Sequence, residues 1–196
     1  MRVLVIGSSH VDNLGLKGDR YFDHEKSVYV HVEFYGRRGA TYETYTRNNN
    51  HLLRTLRNWY NPKVIVSILG GNNIKVNVTN QEIYQAGENY YRALKETFPN
   101  ALIVASQIEA RFYKVGNVFN SPVGREWFRR RNAVNNFIKA LIYKDHILMI
   151  CGPGRLDNRK YYMDDGVHFT PDKYETLYNY IQCTIGDIID KHNIRY

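Results

Sequence analysis

Four short stretches of the chain hold the residue types that acyl transfer requires. Gly7-Ser8-Ser9-His10 follows one apolar run, Tyr35-Gly36-Arg37-Arg38-Gly39-Ala40-Thr41 a second, and Leu69-Gly70-Gly71-Asn72-Asn73 a third. Asp164-Asp165-Gly166-Val167-His168-Phe169-Thr170-Pro171 lies near the C-terminus. A serine hydroxyl is a poor nucleophile until a base removes its proton. Ser9 is the candidate nucleophile and His168 the candidate base. Asp165 sits close enough in sequence to come from the same loop. It can accept the other ring N–H of His168, fixing the tautomer and stabilising the imidazolium. The developing oxyanion calls for preset donors. The candidates are the backbone N–H groups of Ser9 and Gly39 and the side-chain amide of Asn72. Taken singly, each stretch reads more simply as a turn or a cap: glycine tolerates positive φ, serine caps helices, and asparagine favours turns. Their order, and their shared place after apolar runs, is what points to chemistry.

The elements that must position them follow from the apolar pattern. Strand-like runs occupy Arg2–Ile6, Lys63–Leu69, Ala101–Ser106 and His146–Cys151, with another inside Ser27–Tyr35, where Val28, Val30 and Val32 alternate. Helix-period segments fill Tyr42–Trp59, Gln81–Phe98 and Arg125–Tyr143, and Pro171 opens a last helix. This alternation predicts a parallel sheet with helices on both faces. The chain length fits one α/β domain spanning residues 1–196. Such sheets bind ligands at the carboxyl ends of their strands, where the candidate residues fall. The long connection Gln107–Trp127 is expected to form a rim or partial lid there, with Phe112, Tyr113 or Phe119 as acyl contacts.

In this order the four stretches resemble the four blocks of the SGNH (GDSL-like) hydrolases. Gly7-Ser8-Ser9 stands for the Gly-Asp-Ser block, Gly39 for the second-block glycine, and Gly70-Gly71-Asn72-Asn73 for Gly-x-Asn-Asp. Asp165-Gly166-Val167-His168 reproduces Asp-x-x-His intact. The resemblance implies a three-layer α/β/α sandwich with five parallel strands in the order 2-1-3-4-5. It also implies esterase activity without a cofactor, a catalytic Ser9, Asp165 and His168, and an oxyanion hole of Ser9, Gly39 and Asn72. Ser8 and Asn73 replace aspartates of the pattern, which is expected to cost supporting hydrogen bonds. His10 reads as a pocket-edge or capping residue. A narrower resemblance joins these blocks to Arg38-Gly39-Ala40-Thr41 and Arg131-Asn132-Ala133-Val134-Asn135. That set is similar to the esterase domains in the first open reading frame of some animal non-LTR retrotransposons, which are linked to lipid surfaces and nucleic-acid-binding segments.

Bulk composition is compatible with this reading. The chain is 43% apolar and 23% charged, ordinary values for a globular protein. No apolar run is long enough to span a bilayer and none resembles a secretion signal, so an intracellular, cytoplasmic protein is expected. Cys151 and Cys183 form neither a disulfide framework nor a zinc pattern and are expected to be buried thiols. No His, Cys, Asp or Glu spacing along the chain suggests a metal. The formal charge of +8, with Arg37-Arg38 and Arg129-Arg130-Arg131 as its densest runs, would draw anionic partners. The partners expected are a small-molecule or lipid ester, with peripheral membrane or nucleic-acid association if those arginines share a face. Two rival functions stand beside the esterase: an SGNH-fold binding module with little turnover, and a nucleic-acid-associated protein.

Overall fold

Apolar strands buried on both faces form the centre of the molecule, as a parallel sheet between helical layers requires. In a computed structural model, the described residues are 1–25, 28–109, 111, 122–145, 148–150 and 159–192. The strands are β1 (Arg2–Gly7), β2 (Arg20–His24), β3 (Val28–Gly36), β4 (Val64–Ile68), β5 (Leu102–Ser106) and β6 (Leu148–Ile150), in the sheet order β2-β3-β1-β4-β5-β6. Strands β3, β1, β4, β5 and β6 run parallel, and their order is the expected 2-1-3-4-5.

One strand was not expected. β2 pairs antiparallel with β3, Phe22 opposite Val30, and extends the sheet to a sixth strand. Its sequence, Arg-Tyr-Phe-Asp-His, offers no sustained apolar run because it lies at the edge, where burial is only partial.

Helix α1 (Ser9–Gly15) follows β1, α2 (Tyr42–Tyr60) follows β3, α3 (Asn80–Thr97) follows β4, α4 (Pro122–Asp145) follows β5, and α5 (Pro171–His192) ends the described chain. The alternation of side chains along β1 explains the two cores. Leu4 and Ile6 face one core with Tyr45 and Leu53 of α2, Tyr90 and Leu94 of α3, and Val134 and Ile138 of α4. Val3 and Val5 face the other, with Val11 and Leu14 of α1 and Leu177, Ile181 and Ile185 of α5. Helices α2, α3 and α4 thus cover one face of the sheet, and α1 and α5 the other.

The expected continuous helix over Tyr42–Trp59 is interrupted. Asn48, Asn49 and Asn50 are all left-handed, with φ of 50°, 58° and 61°. Asparagine tolerates this region better than other side-chain-bearing residues, so the run of three asparagines can turn the chain without glycine. The apolar periodicity continues on both sides of the break and hides it. At α3, Thr79 accepts from the Glu82 N–H at 3.2 Å while the Glu82 carboxylate accepts from the Thr79 N–H at 2.7 Å. Thr79 and Glu82 thus form a capping box that starts α3.

Candidate active site

The carboxyl ends of β1, β3 and β4 set three of the four stretches side by side. β1 ends at Gly7, which pairs with Gly36 of β3 and Ile68 of β4. The Tyr45 hydroxyl, brought by α2, donates to the Gly7 carbonyl at 2.6 Å and holds the end of β1 from below. Ser8 takes the N-cap position of α1; its carbonyl, rather than its hydroxyl, accepts from Val11 and Asp12. Ser9 is the first residue of α1 and is half-buried.

The loop that carries the candidate base, His168, precedes α5. Asp165 Oδ2 lies 2.5 Å from Nδ1 of His168, and Oδ1 accepts from the backbone N–H groups of Val167 (2.8 Å) and His168 (3.0 Å). Gly166, at φ 67°, provides the left-handed step that folds the loop back onto the carboxylate. Partial burial opposes ionisation of Asp165. The hydrogen bonds from the His168 ring and the two N–H groups outweigh it and hold the carboxyl at about 2. Asp165 is therefore an anion near neutral pH.

His10 connects the base loop to α1. Its ring lies 4.8 Å from that of Phe169 and 6.0 Å from that of His168, centre to centre. Its Nδ1 is 3.3 Å from the Tyr174 hydroxyl, which also accepts from Asn13 at 2.7 Å. Burial, then the charges of Arg111 and His168, push the His10 pKa down to about 3, against a smaller opposing effect of Asp165. His10 is therefore neutral near pH 7, and it is half-buried beside Phe169 and His168. No hydrogen bond joins Ser9 to His168 among the described residues. The link between the two stretches runs through His10.

The oxyanion candidates lie on the neighbouring strand ends. Gly39, at φ 72°, is exposed in the β3–α2 loop. A Cβ there would meet nothing within 4 Å, so the backbone conformation, and no close contact, is what requires glycine. Asn72 belongs to a short 3-10 turn, Gly71–Asn73, after β4. Its Nδ2 donates to the Ala40 carbonyl at 3.0 Å, tying it to the residue after Gly39. Its Oδ1 accepts from Arg111 at 2.7 Å.

Asn73 corrects an expectation. It is buried, its Oδ1 accepts from the Tyr42 N–H at 3.1 Å, and its Nδ2 donates to Glu43 at 2.8 Å. An amide can accept from a helix N-terminus as a carboxylate does and can also donate to the acid beside it. Replacement of the aspartate thus keeps the tie between β4 and α2.

Sequence reasoning gave no site role to Arg111, Asn135 or Tyr174, whose partners Asn72, Ile108 and His10 lie far off along the chain. Asn135 of α4 is buried and clamps Ile108, accepting from its N–H at 2.8 Å and donating to its carbonyl at 3.2 Å. The expected lid contacts Phe112, Tyr113 and Phe119 lie outside the described residues, as does Cys151. Cys183 is exposed, contrary to the expectation of a buried thiol, because it falls on the outer side of α5.

The arginine run does not form a patch. Arg130 is buried, donating to Asn80 Oδ1 and to the carbonyls of Lys75 and Val78, while Arg129 pairs with Glu126 and Arg131 lies 4.8 Å from the Phe128 ring. Sequence spacing also hid a grouping at the amino end of the sheet, where Asp19, His31 and Glu33 bring ligand-type atoms within 4.8 Å. Arg2 is 2.6 Å from Glu33, and the two His31 nitrogens face different carboxylates, so the atoms of the cluster are engaged with one another.

Set against solved structures, the fold matches that of hydrolases. The chain superposes on a carbohydrate esterase family 3 protein from Talaromyces cellulolyticus with a TM-score of 0.66 at 14% identity, covering 97% of this chain and 99% of that one. A lipase/acylhydrolase from Enterococcus faecalis gives 0.62 at 16% identity, covering 95% and 96%. TesA gives 0.64 at 15% identity, covering 94% and 98%. No curated protein matches the chain. The pattern of the GDSL-like Lipase/Acylhydrolase family matches residues 6–176, from the end of β1 into α5. The chain belongs to that family, and its class is that of hydrolases acting on esters.

Proposed function

We propose that residues 1–196 act as one serine esterase domain that cleaves carboxylic esters through an acyl-serine intermediate. The observation that carries this reading is the Asp165–His168 pair at 2.5 Å, on the loop that sets the His168 ring beside His10, the neighbour of Ser9. His168 takes the Ser9 proton as Oγ attacks the ester carbonyl, and the oxyanion is held by the N–H groups of Ser9 and Gly39 and by the Asn72 amide. The C–O bond to the alcohol then breaks, and His168 returns the proton to the leaving oxygen. Water repeats the sequence on the acyl-serine and releases the acid. Ionised Asp165 stabilises the imidazolium formed in each half.

The family points to acyl or lipid esters, and one structural relative is a carbohydrate esterase, so sugar acetates and short acyl esters are the first substrates to test. Among the described residues no helix is long and apolar enough to cross a membrane. The narrower likeness to retrotransposon esterase domains rests on the sequence blocks alone, and the arginine run at 129–131 is divided between a buried Arg130 and an exposed Arg129.

The test is hydrolysis of nitrophenyl esters of increasing acyl length, together with labelling by a serine-directed phosphonate. Wild type should hydrolyse and take one label. Ser9→Ala should lose both, His168→Ala should label far more slowly, and a chelator should change neither. A label that survives Ser9→Ala would overturn the assignment of the nucleophile. A folded wild type that binds esters but neither turns over nor labels would establish the binding module instead.

A further inference from the structure

The contacts of Asn72 define which way its amide faces. Arg111 can only donate hydrogen bonds and the Ala40 carbonyl can only accept them. The atom 2.7 Å from Arg111 is therefore Oδ1, and the atom 3.0 Å from Ala40 is Nδ2. With one Nδ2 hydrogen spent on Ala40, the second is left for a ligand. Rotating the amide by half a turn would set the NH2 group against the guanidinium and Oδ1 against the Ala40 carbonyl, two repulsive contacts at once.

Arg111 is itself held. Its guanidinium is 5.9 Å from the Trp127 ring. Its Nη2 lies 2.9 Å from where a Gly71 Cβ would be, so only glycine at 71 allows this approach without a shift. Ile108, three residues earlier, is clamped by Asn135. The guanidinium also places a fixed positive charge beside the amide, and it is one of the charges that keep His10 neutral. A cation bound to Oδ1 polarises the amide and strengthens its N–H as a donor.

We infer that Arg111 is a positioning residue for the oxyanion hole: it locks the Asn72 amide with an N–H toward the substrate and strengthens that donor. The inference rests on the proposed acyl-serine reading. It predicts a loss in the chemical step rather than in substrate binding, because the oxyanion exists only beyond the ground state.

The experiment is a double-mutant cycle on nitrophenyl acetate with Arg111→Met, Arg111→Lys, Asn72→Ala and Arg111→Met/Asn72→Ala, each first checked for a native thermal transition. Loss of an oxyanion donor typically costs roughly 10²–10³-fold in turnover, so Asn72→Ala should fall in that range. Arg111→Met should lower kcat by roughly 10–100-fold with KM nearly unchanged, because the donor is then misoriented rather than absent. Arg111→Lys, which can still donate to Oδ1, should recover part of the loss. In the Asn72→Ala background Arg111→Met should cost little more, since the residue it positions is gone. Additive losses, or a rise in KM with kcat intact, would overturn the role given to Arg111. If Arg111→Met does not fold, Arg111→Ala takes its place in the cycle: kcat and KM equal to wild type, or losses additive with Asn72→Ala, refute the inference. Ser9→Ala separates the two levels. If it retains full hydrolysis, or if wild type neither hydrolyses nor labels, the acyl-serine reading fails and Arg111 loses its role with it. If Ser9→Ala is inactive while the cycle is additive, only the Arg111 inference fails.

Discussion

Asp165 grips His168 twice: Oδ2 lies 2.5 Å from the ring Nδ1, and Oδ1 accepts from the backbone N–H of the same residue at 3.0 Å. Ring and backbone are thereby fixed to one carboxylate, and Nε2 is the ring nitrogen that the proposed mechanism uses as base. The backbone half of this grip belongs to loop structure and the ring half to chemistry, so the two can be separated by substitution.

Asp165→Asn should test that separation. Asn keeps an oxygen for the Val167 and His168 N–H groups but presents either an amide donor or a neutral acceptor to the ring. The protein should fold with a nearly unchanged thermal transition while turnover falls by roughly 10²–10⁴-fold, from the wrong tautomer and an unsupported imidazolium. Phosphonate labelling should slow in parallel. Turnover close to wild type would remove Asp165 from the mechanism.

Acid stability should depend on His10. Its folded pKa of about 3 lies below the value of about 6.5 for a histidine in an unfolded chain. Below about pH 6.5 the unfolded chain takes up a proton that the native state refuses, which favours unfolding. The neutral-state stability is therefore complete above about pH 6.5 and is lost progressively as pH falls toward about 3. Asp165, depressed to about 2, adds a loss of the same sign at lower pH. Urea midpoints should decline from pH 7 to 4 in wild type, and His10→Gln should flatten that decline. An unchanged slope in the variant would show that His10 is accessible to protons in the fold.

The left-handed run in α2 gives a stability prediction independent of the site. Asn49, exposed at φ 58°, occupies a region that costs an ordinary L-residue roughly 1–2 kcal/mol and glycine almost nothing. Asn49→Gly should raise stability by roughly 0.5 kcal/mol and Asn49→Ala should lower it by about 1 kcal/mol. Thermal melts of the pair should therefore diverge in opposite directions from wild type. A continuous right-handed helix through 48–50 would reverse the order, because glycine weakens a helix interior.

Arg130 separates a structural cation from a binding one. Buried, it satisfies Asn80 and the carbonyls of Lys75 and Val78 ahead of α3. Arg130→Met should cost about 1.5–3 kcal/mol in urea denaturation, the scale of hydrogen bonds made by a charged group, since the buried guanidinium ties three acceptors together. It should leave retention on a heparin column unchanged. A drop in retention without a change in stability would place Arg130 on the surface.

The parallel part of the sheet was legible along the chain. Val3–Ile6 and, but for Ser67, Val64–Ile68 are apolar on both faces, the pattern of a covered parallel strand, and turn residues after them mark the edge where the candidate groups gather. The Asp165–His168 pairing was legible as well, because both residues share one short loop and local spacing fixes their reach. Tertiary structure alone decided what depends on contact between distant segments. β2 exists because β3 offers it an edge, and Asn48–Asn50 break a helix whose periodicity carries on past them. Asn73 takes over from an aspartate because Tyr42 and Glu43 converge on it, and Arg130 is withdrawn from the surface by three acceptors some fifty residues away. Arg111 is the clearest case. Nothing in its neighbourhood along the chain separates it from any surface arginine. Its partner Asn72 is 39 residues distant, and only the packing of the segment after β5 against the end of β4 brings the two together.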